Sequence, residues 1–340
     1  MNNVNGKFCA YKIMLNYLQK SWWHLFVLSF AVKERTVGTF CPSIPLEPCF
    51  TILDKPSLED DNLVVVRYLK SADAPEITLT TAELETPQEL TWKNFNTKHW
   101  PVNKLVVRNL YARLMIAMGF IMEALEFDPH QWQNVLVLGL GGGSMSNFLS
   151  FVDFVMVNVT SVEISDSMVE IASEWFGLAE SDTNTVVVQD ALVFVHNAVE
   201  RGEKYKSILL DACLNERQPI ICPIPEFRES NTIQDIANIL DDEGVLSVNV
   251  LCLRDSIGIE DDLLATYREH FTTCFLIRHN PHQRLLVCTN KEKWSFEEQR
   301  SRFMENVRNV DDRFDFNITE NIIKSPKENQ QLSVLPEIST

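Results

Sequence analysis

The sequence predicts an α/β fold: a doubly wound, mostly parallel sheet with an antiparallel C-terminal hairpin and a small N-terminal β subdomain. Three observations carry this. From Gln131 onward, apolar runs rich in β-branched residues alternate with stretches of helical period. Four of the chain's 11 glycines, Gly139, Gly141, Gly142 and Gly143, fall within five residues at the end of the first such run. Three carboxylates, Glu163, Asp190 and Asp211, then stand at the ends of the next three runs.

The elements follow in order. Residues 1–60 are expected to form an irregular extension, because Pro42, Pro45 and Pro48 in "CPSIPLEPCF" exclude a helix interior. Residues 61–105 form the small β subdomain: "NLVVVRYL" and "EITLTTAEL" are strand-like and separated by Asp73, Ala74 and Pro75. The main domain spans 106–292. It opens with a buried helix, since Leu110, Leu114, Met118 and Ile121 recur at helical spacing. "NVLVLGL" is its first strand, and a helix begins at Ser144. "VMVNVTSVEI", "TVVVQD" and "SILLDAC" are the next strands, with the helices "SDSMVEIASEWFG" and "ALVFVHNAV" between them. A helix over 227–240 leads to the strand "GVLSVNVLCL", and a helix over 261–270 leads to the hairpin of "TCFLIR" and "RLLVC". Single helices between strands imply right-handed crossovers and parallel pairing, with the hairpin adding an antiparallel edge strand. In 293–340, Ser295 and Glu298 make a capping box for one more helix, followed by a polar tail.

Composition limits the function. The net charge of −17, from 30 Lys+Arg and 47 Asp+Glu, disfavours nucleic acid and anionic membrane as partners. It suits a cationic substrate such as a polyamine or a lysine-rich protein. None of the eight cysteines forms a C-x-x-C pair, and four lie in or beside apolar runs. They are expected to be free, buried thiols in a reducing, cytoplasmic setting. The apolar segment Ser21–Val32 is shorter than the roughly 20 residues a spanning helix needs, though a signal or anchor is a possible reading.

The glycines and carboxylates define a candidate site. In doubly wound sheets, ligands bind beyond the carboxyl ends of the strands. A glycine turn there allows a tight bend and close approach of a ligand, and the following helix offers free N–H groups. Glu163, 20 residues after Gly143 (163 − 143), is placed to accept the hydroxyls of a ribose. Asp190 is placed to accept from the amine of an adenine, or to cap the helix from Ala191. Together they suit an adenosyl group with an amino-acid tail, which is S-adenosylmethionine. No metal site is expected.

"VLVLGLGGGSMSNFL", "SVEISDSMVEIASEWFG", "VVQDALVFV" and "LLDACLNE" resemble the class I methyltransferase domain shared with spermidine synthases. "CPIPEF" and "ILDDEGVLSVNVLCLRD" are similar to the branch of the carboxyl-terminal domain of methyltransferase-like protein thirteen, which modifies translation elongation factor 1-alpha. The resemblance covers about residues 94–290. It implies a seven-stranded, Rossmann-like methyltransferase sheet, S-adenosylmethionine as cofactor and a protein substrate. By position it assigns cofactor contacts to Gly139, Gly141, Gly142, Glu163, Asp190 and Ala191.

Asp211 bears on the reaction. Spermidine synthases carry two aspartates three residues apart here, followed by proline. This chain has Asp211, but Leu214 in the second position and no proline after it. Aminopropyl transfer is therefore disfavoured. The expected activity is methylation of a protein amine, lysine or N-terminal, with Asp211 receiving its proton. The rivals are a polyamine aminopropyltransferase and a non-catalytic scaffold.

Overall fold

In a computed structural model of the chain, the described residues are 34–319 apart from 43–47, 61, 89–93, 95, 215–217, 253–258 and 293. The segment Ser21–Val32 and the tail after Ser325 lie outside the described residues.

The first sheet is antiparallel, with β1 (Arg35–Phe40), β2 (Phe50–Glu59), β3 (Asn62–Ser71) and β4 (Thr78–Leu84) side by side in chain order. The irregular extension expected up to residue 60 is thus corrected: β1 and β2 are half of this sheet. The misreading has a physical source. On β2 the inward positions are Phe50, Ile52 and Asp54, so the apolar alternation breaks at a charge. Asp54 is 1% exposed because Arg67 of β3 grips both of its oxygens, at 2.8 Å each. The same guanidinium donates to the carbonyl oxygens of Trp175 at 3.0 Å and Thr97 at 2.8 Å. A buried charge is tolerable only when paired and hydrogen-bonded, and this one ties the small sheet to the main domain.

The main sheet contains β5 (Gln133–Leu138), β6 (Val157–Glu163), β7 (Asn184–Val188), β8 (Tyr205–Leu210), β9 (Ile220–Cys222), β10 (Leu240–Cys252), β11 (Thr273–Asn280) and β12 (Gln283–Thr289). Its order is β11-β12-β10-β8-β5-β6-β7, with the short β9 pairing antiparallel to β10. From β7 through β6, β5 and β8 to β10 every pairing is parallel, as the single-helix spacing predicted. The seven expected strands are present, and β9 is an eighth.

The helices are α1 (Leu110–Ile121), α2 (Ser144–Phe151), α3 (Asp166–Trp175), α4 (Ala191–Arg201), α5 (Ser230–Ile239), α6 (Ile259–Arg268) and α7 (Phe296–Phe314). α1, α2 and α7 cover one face of the main sheet, and α4, α5 and α6 the other. α3 packs Met168, Ile171 and Trp175 against Phe50, Ile52 and Leu69 of the small sheet. Nearly all of α1 is buried, so its sequence is apolar all round rather than striped. Ser295 caps α7 as expected, and Phe314 meets Phe120 and Phe148 at ring-centroid distances of 5.1 Å each.

Two further expectations change. The antiparallel strand is not the edge: β12 sits between β10 and β11, and β11 is outermost. β11 leaves a place beside β10 that the returning strand fills, which is why Leu285–Thr289 are all buried. The cysteines are also mostly not free. Cys41–Cys49, Cys213–Cys222 and Cys274–Cys288 are disulfides, and Cys252 is buried and free. Each pair joins residues brought together by strand pairing or by a loop, at separations of 8, 9 and 14, which spacing alone does not reveal.

Candidate active site

A cavity of about 1030 Å³ opens at the carboxyl ends of β5, β6, β7, β8 and β10, roofed in part by Ile77 and by Thr78 and Leu79 of the small sheet. It is centred where the chain order reverses, between β5 and its neighbours β6 and β8. Gly139, Gly141, Glu163, Asp190, Ala191 and Asp211 all line it, so residues separated by up to 72 positions (211 − 139) converge.

The glycine turn divides into two roles. Gly139 has φ 93°, and a Cβ there would meet the backbone oxygen of Asp211 at 2.5 Å. Gly141 has φ 51° and nothing nearer to such a Cβ than 4.0 Å, so its bare face leaves room on the cavity wall. Gly142 and Gly143 are not on that wall. The first packs against Thr80 and Phe176, and the second is the N-cap of α2. In this structure these two glycines serve packing and the start of the helix.

Glu163 is fastened to the same turn. Its Oε2 accepts from the backbone N–H of Leu140 at 3.0 Å and its Oε1 from that of Ser165 at 3.1 Å. Burial raises its pKa above the usual carboxylate value, and these backbone donors oppose the rise. Asp190 is exposed and caps α4, accepting from the N–H of Leu192 at 2.8 Å. Helix capping and cavity lining thus coexist in this residue. Ser165 caps α3 through the N–H of Met168 at 3.2 Å, with Asp166 exposed beside it.

The other end of the cavity centres on Asp211. Asn249 of β10 donates to its Oδ1 at 2.7 Å, and the Tyr111 hydroxyl donates to its Oδ2 at 3.2 Å. Gln283 of β12 donates to the Asn249 Oδ1 at 3.0 Å, so the carboxamide is itself held. Burial pushes the Asp211 carboxyl up to about 6, against the opposing effect of the Asn249 and Tyr111 hydrogen bonds. Tyr111 is held well above the ordinary phenol value by burial and by the neighbouring Asp211 charge. Leu214, in place of a second aspartate, also lines the cavity.

No protein-family model matches the chain. Over 150 residues it is 35% identical to the human "eEF1A lysine and N-terminal methyltransferase", covering 42% of this chain and 21% of that protein. It is 27% identical to the Drosophila melanogaster homologue over 192 residues, covering 56% and 28%. It is also 30% identical over 161 residues to the polyamine aminopropyltransferase of Vibrio vulnificus, covering 47% and 48%. The crystal structure of human methyltransferase-like protein 13 in complex with SAH superposes with a TM-score of 0.53 at 27% identity, over 59% of this chain and 92% of that one. The chain has the fold of the spermidine-synthase-like class I methyltransferases. The crystal structure of "a probable spermidine synthase from Corynebacterium glutamicum" shares that fold, with a TM-score of 0.53 at 15% identity. The chain spans about a fifth of the length of its human relative.

Within this methyltransferase fold, sequence reading did not find Tyr111, Asn249, Gln283 or His279, all on the cavity wall. Two of them left a signal. Asn249 is a lone amide in the apolar run of β10, and a buried amide needs a partner. Tyr111 puts a hydroxyl at the start of an apolar helix. Gln283 and His279, at the hairpin, left none. Both ring nitrogens of His279 are buried without a hydrogen-bond partner, and burial followed by the Arg284 charge lowers its pKa to about 4.

Proposed function

We propose that this chain is an S-adenosylmethionine-dependent methyltransferase that modifies a protein amine, a lysine or an N-terminus. The observation that carries this is a carboxylate, Asp211, held from two sides by Asn249 and Tyr111 across a cavity from Gly141 and Glu163. The residues present fit the cofactor. Gly141 leaves the wall bare, Glu163 presents a carboxylate already oriented by two backbone donors, and Asp190 and Ala191 line the third strand end. Gly141 and Glu163 would hold the ribose and amino-acid portions, and Asp190 the adenine amine.

When bound, the cofactor supplies a methyl group on an electrophilic sulfonium. The remaining work falls to this chain. Asp211 accepts a hydrogen bond from the amine acceptor, orients its lone pair and takes its proton. Asn249 and Tyr111 keep both carboxylate oxygens in place, and Gln283 keeps Asn249 in place. With a pKa near 6, Asp211 is mostly ionised at neutral pH yet a far better proton acceptor than an ordinary carboxylate.

The names of the human and Drosophila melanogaster relatives support a protein substrate, with elongation factor 1-alpha the first one to test. Cytoplasmic residence is proposed with that substrate alone, because three disulfides do not favour a reducing compartment. Among the described residues no helix is long and apolar enough to cross a membrane. Aminopropyl transfer is the second reading, favoured by the Vibrio relative and disfavoured by Leu214. The test is radiolabel transfer from S-adenosylmethionine into a protein extract, and from its decarboxylated form into putrescine. Label in protein and none in putrescine is expected. Label in putrescine alone overturns the proposal in favour of aminopropyl transfer, and no label in either leaves a binding scaffold.

A further inference from the structure

The Cys213–Cys222 disulfide lies on the cavity wall beside Asp211. Cys213 Sγ is 3.4 Å from the Asp211 Oδ1 and 3.9 Å from the Asn249 amide nitrogen. The two sulfurs and a carboxylate oxygen of Asp211 lie within 4.8 Å of one another, the one such group of potential metal ligands among the described residues. Disulfide sulfur is a poor ligand, whereas thiolate is a strong one. We propose that reduction of this bridge converts it into a Zn²⁺ site with Asp211, Cys213 and Cys222 as ligands.

The chemistry balances. A dithiol reductant delivers two electrons and two protons to the bridge and leaves as its own disulfide. Zn²⁺ then displaces one proton from each thiol, so binding releases two protons. Zinc takes thiolate at about 2.3 Å and carboxylate oxygen at about 2.0–2.2 Å. Around a tetrahedral ion two such thiolates sit roughly 3.7 Å apart, so the sulfurs, bonded to each other in the bridge, move apart by side-chain rotation once reduced, while the Asp211 Oδ1, 3.4 Å from the Cys213 sulfur, already stands near ligand spacing. Three protein ligands leave the fourth position facing the cavity, the pattern of an open zinc site. The outer support is already built: Asn249 and Tyr111 orient the carboxylate, and Gln283 orients Asn249. Asp211 and Cys213 are only partly buried, which gives the ion a route in.

The other two bridges supply internal controls. Among the described residues, neither Cys41–Cys49 nor Cys274–Cys288 has a third ligating group at this spacing. Metal binding goes beyond the methyltransferase reading. One consequence rests on that reading: a bound ion occupies Asp211, so Zn²⁺ inhibits methyl transfer by the reduced form and leaves the oxidised form alone.

The test uses the full chain, reduced with a phosphine, desalted without oxygen and titrated with Co²⁺, then with Zn²⁺ as competitor. One Co²⁺ per chain with a thiolate charge-transfer band, displaced by Zn²⁺, is expected. Cys213→Ser and Cys222→Ser should each lose that band, and the oxidised chain should not show it. Asp211→Asn should keep the band and bind at least roughly tenfold more weakly. Cys41→Ser/Cys49→Ser should bind like the parent. Circular dichroism on each variant separates loss of the site from loss of the fold, and Asp211→Asn keeps the question open if a cysteine variant unfolds. A reduced parent without the band, or a band that survives Cys213→Ser, overturns the site. A band with no methyl transfer under any condition supports the metal site and counts against the transferase reading instead.

Discussion

The two ends of the cavity are built in different ways. At one end, Glu163 is held by backbone N–H groups of Leu140 and Ser165, and the latter is two residues away. At the other, Asp211 is held by the side chains of Tyr111 and Asn249, 100 and 38 residues away. Backbone donors come with the turn itself and survive most substitutions around them. Side-chain donors depend on α1, β10 and β12 docking in register. The first end is therefore robust and local, and the second is adjustable. That division suits an enzyme that keeps one cofactor while its acceptor changes, because loops and distant strands vary more freely than a strand-turn-helix.

The comparison breaks most visibly at Asp211. Asp211→Asn should leave S-adenosylmethionine affinity nearly unchanged and cut kcat by about 10²–10⁴-fold, the usual contribution of a general base. Calorimetry alongside steady-state kinetics checks both halves. A comparable loss of cofactor affinity would erase the distinction between the two ends. The pH profile sharpens the same point. The Asp211 pKa is raised to about 6, so in the proposed role the carboxylate is protonated below that value and kcat should fall as pH drops through it. In Asp211→Asn the acid limb near pH 6 should vanish.

The complementary substitution at the other end is smaller. Glu163→Ala removes a charge-assisted contact and should weaken S-adenosylmethionine binding by about 1.5–3 kcal/mol while the fold survives. Unchanged affinity in a folded variant rejects the ribose assignment. Least disruptive is Gln283→Ala, which touches Asp211 only through Asn249. It should lower kcat severalfold, leave cofactor affinity alone and shift the acid limb. A change in cofactor affinity with no shift of that limb would mark Gln283 as merely structural.

The small sheet shows where local reading stops. Strand β3 was legible as "NLVVVRYL", yet its partner β2 was not, because an inward Asp54 looks like surface until Arg67 is known to face it. The hairpin was legible as two strands, but its place in the sheet depends on which neighbour β12 chooses. The same holds for the cysteines, whose pairing across strands and loops left no mark in their spacing.

By itself the sequence determined the alternation of strand and helix, the glycine turn and the carboxylates at three strand ends, because each follows from residues within a few positions of one another. Periodicity, φ preference and capping are local forces, and they act before the chain is compact. Only the tertiary structure decided that Gly142 and Gly143 turn away from the cavity, that β12 fills the place beside β10, and that Tyr111, Asn249 and Gln283 close around Asp211. Those outcomes depend on which surfaces meet when the sheet is assembled, and a buried polar group finds its partner only then.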